Sequence, residues 1–204
     1  TLGKLSLGAN TLNLAGTVAS MTTTNSITGS TSSNVSITGT GTLGTLLFDQ
    51  TTAGTTNALN NLTINRSSTG VVNLGSALNL VGNLTVTNGS FRSFGGNTLT
   101  MAGTTQTLTI SNASGGSVLG TDNSAGNDLT LAIATGSTTT LAGDATSTND
   151  DDKKFFNVTV NTGGTLVLSR GILCKWGTFA VNGTLQINSN GYMQSTPTGG
   201  GSAI

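Results

Sequence analysis

Pairs of apolar residues separated by a single polar residue recur along the whole chain, and this pattern most restricts the folds open to it. Leu12/Leu14, Leu84/Val86 and Leu108/Ile110 are examples. Alternation over a few residues is the signal of a short β-strand with one buried face. No stretch shows the sustained 3.6-residue period of an amphipathic helix. The sequence therefore predicts an all-β fold.

Turns rich in Gly and Asn follow these pairs after only a few residues, as at Gly82-Asn83, Asn88-Gly89 and Gly163-Gly164. Longer segments also recur: residues 10–17 return as residues 97–104, and residues 61–65 return as residues 157–161. Such self-similarity favours a repeat architecture. A β-sandwich, the alternative, joins strands of about five or six residues by hairpins. The shorter segments here predict a single-chain parallel β-solenoid, in which each strand pairs with its equivalent one coil later.

The lack of charge fits such a stack. Charged residues make up 7% of the chain, which has no His, no Glu and a formal net charge of zero. Like charges on neighbouring coils, about 4.8 Å apart, would repel by about 0.9 kcal/mol even in water. Thr, Ser and Asn, which with Gly supply more than half of the residues, can instead form hydrogen-bonded ladders. The neutral balance also argues against nucleic acid and against an anionic membrane surface as partners.

Two stretches carry a resemblance to a known class of proteins. The segments ALNNLTINRSSTGVVNLGSALNLVGNLTVTNGSF (residues 58–91) and GGNTLTMAGT (residues 95–104) resemble low-complexity β-solenoid repeats of bacterial surface and secreted proteins. They are most similar to adhesin-like proteins of Bacteroidetes, and more loosely to filamentous-haemagglutinin and autotransporter passenger repeats. The resemblance extends over residues 1–193. It implies an extracellular, cell-surface location and a structural or adhesive role, and it brings no catalytic residues with it.

We expect one β-solenoid domain over residues 1–193, interrupted by a charged loop at 149–154 and followed by a flexible tail or connector at 194–204. The start at Thr1 without a Met suggests a processed mature chain or an excerpt from a longer one. Strand-like sequence begins at Leu5 with no visible cap, and an uncapped solenoid end leaves backbone groups unpaired. We therefore expect the ends to stack on copies of the same chain, head to tail, or on flanking repeats.

The leading functional prediction is an extracellular structural protein that stacks end to end into a surface or matrix filament, since a head-to-tail contact that does not close builds a fibre. An adhesin stalk or glycan-binding fragment of a longer surface protein is the first alternative. The second is an ice-binding solenoid, suggested by Thr-x-Thr triplets such as Thr85-Val86-Thr87 and Thr107-Leu108-Thr109. These triplets do not recur at one fixed spacing, which argues against that alternative.

An enzyme is not expected, because carboxylates that could converge on one face are lacking. Outside the charged loop the chain has only four acidic residues: Asp49, Asp122, Asp128 and Asp144. No cofactor is predicted. Residues 39–44 form a literal G-x-G-x-x-G after a strand-like stretch at 34–38, but a dinucleotide site would need a helix to follow.

The charged loop holds the only acidic cluster, Asp150, Asp151 and Asp152. These carboxylates are weak candidates for calcium, which prefers oxygen ligands, but no surrounding calcium motif is present. The alternative is a solvated loop that contacts a neighbouring subunit, with Lys153 and Lys154 as further contact residues.

Aromatic residues concentrate in the C-terminal quarter of the chain. They are Phe155, Phe156, Trp176, Phe179 and Tyr192. Of these, Phe155, Phe156, Trp176 and Tyr192 are candidates for a subunit contact or a sugar-binding face, and a bulkier core is the other interpretation. The single Cys174 excludes an intrachain disulfide and is interpreted as a small buried hydrophobe.

Overall fold

The computed structural model describes residues 3–17, 21–23, 26–67, 70–93, 95–111, 116–118, 129–143, 154–155, 157–175 and 177–196. Within these ranges the chain forms short β-strands and no helix. The strands are β1 (Leu5–Ser6), β2 (Thr11–Leu14), β3 (Ile27–Thr28), β4 (Asn34–Ile37), β5 (Gly44–Leu46), β6 (Ala58–Leu59), β7 (Asn61–Asn65), β8 (Val71–Leu74), β9 (Leu78–Leu80), β10 (Leu84–Ser93), β11 (Thr98–Met101), β12 (Thr105–Ile110), β13 (Gly116–Val118), β14 (Thr130–Ile133), β15 (Thr138–Gly143), β16 (Lys154–Phe155), β17 (Val158–Val160), β18 (Thr165–Leu168), β19 (Gly171–Lys175), β20 (Phe179–Val181), β21 (Thr184–Ile187) and β22 (Tyr192–Thr196).

Every strand pair among the described residues is parallel. Partners are never consecutive along the chain: β12, for example, pairs with β10 on one side and with β15 on the other. The chain therefore winds into a β-solenoid of about 7 turns. The predicted all-β parallel solenoid is confirmed, and the antiparallel sandwich is not what forms.

The coils have three faces, which the chain visits in a fixed order. The first face is the sheet β6-β9-β11-β14-β17-β20, and the second face is β2-β4-β7-β10-β12-β15-β18-β21. The third face consists of β5, β8, the second half of β10 and β13, and of the sheet β16-β19-β22 nearer the C-terminus. Strand β10 joins two faces because it bends at an irregularity between Val86 and Asn88. The pair β1–β3 forms a small separate sheet at the N-terminal end.

The core consists of the apolar side chains that point inward from all three faces. Strands such as β7, β11, β14 and β18 alternate half-buried and buried residues. This is the predicted two-residue pattern with its apolar members inside. Leu62, Leu99, Leu131 and Leu166 are completely buried in it. Cys174 is also buried, as expected, and burial raises the pKa of its thiol.

Polar ladders connect the coils at the entry to the second face. The side-chain amide of Asn61 donates to Asn34 Oδ1 at 3.0 Å, and Asn61 Oδ1 accepts from the backbone N–H of Asn83 at 2.8 Å. Asn83 Oδ1 in turn accepts from the N–H of Thr107 at 2.8 Å. These contacts are the neutral ladder predicted from the composition.

The internal sequence repeats do not mark equivalent positions in the coils. Residues 11–14 form β2 on the second face, whereas their counterparts 98–101 form β11 on the first face. Likewise 61–65 form β7 on the second face and 158–160 form β17 on the first. The repeated unit is therefore one strand with its turn, not one complete coil, because the same inward-outward pattern serves on any face.

Glycines fill corners where coils approach closely. A Cβ added at Gly103 would collide with the carbonyl oxygen of Val81 in the preceding coil. Gly163, in a predicted turn, has a φ of 76°, a left-handed conformation that glycine adopts without strain.

Candidate functional site

The second face contains one continuous column of inward apolar side chains that reaches both ends of the described stack. Its members are in direct register: Leu12, Val35, Leu62, Leu84, Leu108, Leu141, Leu168 and Ile187. The six inner members are almost completely buried. Leu12 is only half-buried, and Ile187 is 51% exposed. The column is thus complete inside the stack and open at its two terminal members.

The last coil exposes further apolar side chains beside Ile187. Val181 and Tyr192 are exposed, and Phe179, Leu185 and Met193 are only partly buried against the core. β20, β21 and β22 are also the outermost strands of their sheets among the described residues. We call the surface formed by these three strands the C-terminal end surface. It combines the edges of the outermost described strands with inward-facing apolar side chains such as Val181 and Ile187.

The first coil presents the opposite surface. Leu5 on β1 is 49% exposed, and Leu12 and Leu14 on β2 are partly buried. We call the surface formed by β1 and β2 the N-terminal end surface. Residues 11–14, like residues 184–188 at the other end, contain no charged side chain. Natural proteins commonly protect open strand edges with charges, so both uncharged edges are suited to pairing.

An ion pair fastens the first coil to the rest of the stack. Lys4 Nζ lies 2.6 Å from Asp49 Oδ1, although the two residues are 45 positions apart. The Lys4 ammonium and the hydroxyl of Thr51 hold the pKa of the Asp49 carboxyl well below its usual range, and Thr28 also donates to it. A surface cleft of about 250 Å³ adjoins the pair and is lined also by Phe48, Gln50 and Ser76. Asp49, one of the acidic residues considered for catalysis, is therefore engaged in joining coils.

Arg66 is a structural residue that the sequence reasoning missed. Its side chain is 1% exposed and lies at the corner after β7. The guanidinium donates to the carbonyl oxygens of Thr38, Thr40, Gly41 and Gly16. It thereby connects its own coil with the two coils before it. The only available signal was an isolated cation directly after a strand in a chain with very few charges.

Outward Thr side chains form regular columns on the second face. Thr105, Thr138, Thr165 and Thr184 are in register, and Thr107 and Thr140 lie in register beside them. A further column contains Thr63, Thr85 and Thr109. Leu108 and Val86, the middle residues of the predicted triplets, are fully buried. The unequal sequence spacing that argued against a Thr array is thus absorbed by loops of different length.

Most candidate site residues fall outside the described part of the chain. These are the calcium candidates Asp150, Asp151 and Asp152 and the contact candidates Lys153, Phe156 and Trp176. Of the acidic residues considered for catalysis, Asp122, Asp128 and Asp144 also lie outside it. Lys154 begins β16, and Phe155 is completely buried, which agrees with the bulkier-core interpretation. Tyr192 is 42% exposed on β22. The structure therefore places Phe155 and Tyr192 in different environments, one in the core and one on the end surface.

The Gly-rich motif and the possible metal and membrane sites can also be compared with the structure. The stretch after Gly39 and Gly41 continues into strand β5, so the helix that a dinucleotide site requires is not formed there. Within the described ranges, no group of three His, Cys, Asp or Glu side chains could hold a metal ion. None of the described segments is a helix long and apolar enough to cross a membrane.

Comparison with known proteins adds no relative: no family model, no curated protein and no solved structure matches this chain.

Proposed function

We propose that this chain is a structural β-solenoid unit that stacks end to end into a fibre at or outside the cell surface. The observation that supports this most is the Leu12–Ile187 column, which is buried in the inner coils and open at Ile187. Burying such a side chain completely contributes about 1.5–3 kcal/mol relative to leaving it in water. Another coil placed on the N-terminal end would bury Leu12, and one placed on the C-terminal end would bury Ile187. Either coil would also pair the open strand edge at that end.

The extracellular part of the proposal rests on composition. The chain is rich in Thr, Ser, Asn and Gly and has few charges, and its repeats resemble those of secreted bacterial solenoids. A fibre built by repeated stacking suits such a surface, because neutral side chains stack on their own copies without like-charge repulsion.

The test is the concentration dependence of assembly. We expect light scattering and electron microscopy of the purified chain to show oligomers or filaments that grow with concentration. Ile187→Asp should abolish them, since it places a charge in the apolar column at the junction. Thr105→Asp adds the same charge to an exposed position in the middle of the stack and should leave assembly intact. Monomers of the unchanged chain at all concentrations would contradict the proposal.

The Thr columns favour a second candidate function, binding to ice. They place hydroxyl and methyl groups about 4.8 Å apart along the stack and about 6.6 Å apart along a strand. A regularly repeating array of this kind is suited to an ordered layer of water.

Thermal hysteresis measures this activity directly. We expect Thr107→Leu combined with Thr140→Leu to abolish it, because both side chains point outward on the second face. Thr100→Leu, an outward position on the first face, is the matched control. Absence of thermal hysteresis in the unchanged chain would exclude ice binding and leave the stacking proposal untouched.

A further inference from the structure

We infer that the partner of the C-terminal end surface is the N-terminal end surface of a second copy of this chain, docked by parallel strand addition with Ile187 beside Leu12. This inference rests on the proposed end-to-end stacking and specifies its geometry. It assigns to β21 of one copy and β2 of the next the same pairing that joins neighbouring coils within one chain.

The register follows from the column itself. Leu12 and Ile187 are the first and last members of one uninterrupted series of register partners. A parallel strand added to β21 in the same register places its Leu12 directly on Ile187. A shift by one residue would turn the added apolar side chains outward, because side chains alternate between the two sides of a strand. This alternation excludes shifts by an odd number of residues, and the unbroken register series favours Leu12 on Ile187 over a shift by two, which would place Leu12 on Leu185.

The neighbouring polar positions are compatible with this register. It places Thr11 beside Gln186 and Asn13 beside Asn188, so all four outward side chains are neutral. Asn–Asn and Thr–Gln neighbours can hydrogen-bond along the stack as Asn61 and Asn34 do at 3.0 Å. Neither edge carries the charges that prevent strands from pairing edge to edge. The two end surfaces are thus complementary in their backbone edges, their apolar side chains and their charge.

Disulfide trapping tests the register. In a Cys174→Ala background, Thr11→Cys combined with Gln186→Cys places two thiols on adjacent strands of different copies. Paired strands lie about 4.8 Å apart, within the Cα separation of about 4.4–6.8 Å that a disulfide spans. Within one copy the two positions are at opposite ends of the stack, about 34 Å apart for 7 turns. Oxidation should therefore produce a ladder of covalent multimers and no internal bridge.

The matched control is Thr11→Cys combined with Thr184→Cys. Thr184 lies on the same strand and the same side as Gln186 but two residues away, which separates the Cα atoms by about 8 Å, too far for a disulfide. We expect this variant to lose the ladder. Thr11→Cys alone should yield at most dimers.

The outcomes separate the junction from the proposed function. A ladder that forms with the Thr11–Gln186 variant and not with the Thr11–Thr184 variant supports the register. An equal or stronger ladder from the Thr11–Thr184 variant overturns the register while stacking itself stands. Filaments of the background protein without a ladder from either variant also overturn the register alone. Monomers in light scattering, with no ladder, overturn both the junction and the stacking proposal.

Discussion

The middle of the stack and its last coil are built from the same column of side chains but bury it very differently. Leu84, Leu108 and Leu141 have a coil above and below and are completely buried. Ile187 occupies the same column with a described coil on one side only, and half of it is exposed. At an inward position of a solenoid, then, burial depends on the number of neighbouring coils as well as on the residue type.

The largest expected effect is the difference in stability between shortening a side chain in the middle of the column and shortening one at its end. We expect Leu108→Ala to lower the free energy of unfolding by about 2–5 kcal/mol, because it leaves a cavity in a close-packed core. Ile187→Ala should lower it by less than about 1 kcal/mol. Chemical denaturation at concentrations where the chain is monomeric measures both. Equal losses would mean that Ile187 is covered in the monomer.

The next prediction concerns Arg66, whose side chain connects three of the early coils through hydrogen bonds to their backbones. Arg66→Met should lower the free energy of unfolding by about 3 kcal/mol, because the carbonyl oxygens of two other coils lose their hydrogen bonds to a charged donor. Arg66→Lys keeps the charge but has fewer and differently placed donors. Its free energy of unfolding should lie between those of the Met variant and the unchanged chain. Thermal unfolding provides the measurement. A Met variant as stable as the unchanged protein would show that water replaces the guanidinium at this corner.

Two glycines extend the comparison to the corners of the coils. Gly103→Ala should lower stability by about 1–3 kcal/mol, because the new methyl group collides with the carbonyl of Val81 and the backbone must shift. Gly16→Ala, where a Cβ meets nothing within 4 Å, should have no effect or stabilise slightly. Denaturation midpoints of the two variants, measured side by side, decide whether coil spacing is as tight as the structure has it.

The smallest predicted effect concerns the first coil and its ion pair. The pKa of Asp49 is lowered in the folded state, so its contribution is fully present above the unfolded-state pKa of about 3.9 and is lost as the pH falls toward the folded-state value. Hydrogen exchange at the amides of Leu5 and Leu7, which donate to Ser26 and Thr28, should therefore lose protection as the pH falls below about 4.

The matched variant for the ion pair is Asp49→Asn, which should show the reduced protection already at neutral pH. The amide of Ala134, which donates to Met101 in the middle of the stack, is the internal control and should stay protected in both proteins. Loss of protection at all of these amides together would indicate unfolding of the whole stack instead of fraying of its first coil.

The candidate end surfaces were predictable only in part. The lack of charged side chains in residues 11–14 and 184–188 is visible in the sequence. The identity of the exposed residues does not follow, because Ile187 and Leu168 have the same local pattern and differ only in their position within the stack. The partners of Arg66 and Asp49 were equally hidden, since they lie on other coils at sequence distances of up to 50 residues.

What the sequence determined by itself is the inward or outward direction of most side chains, and with it the all-β class. The physical reason is local: in a strand, neighbouring side chains point to opposite sides, so alternating polarity defines a buried side wherever the strand lies. Only the tertiary structure decided which face each strand occupies and which strands become neighbours. The copies 11–14 and 98–101 lie on different faces, while Thr105, Thr138, Thr165 and Thr184 align despite unequal spacing. Loops of different length allow this, because stacking requires only that each new strand pairs with the edge left open by the coil before it.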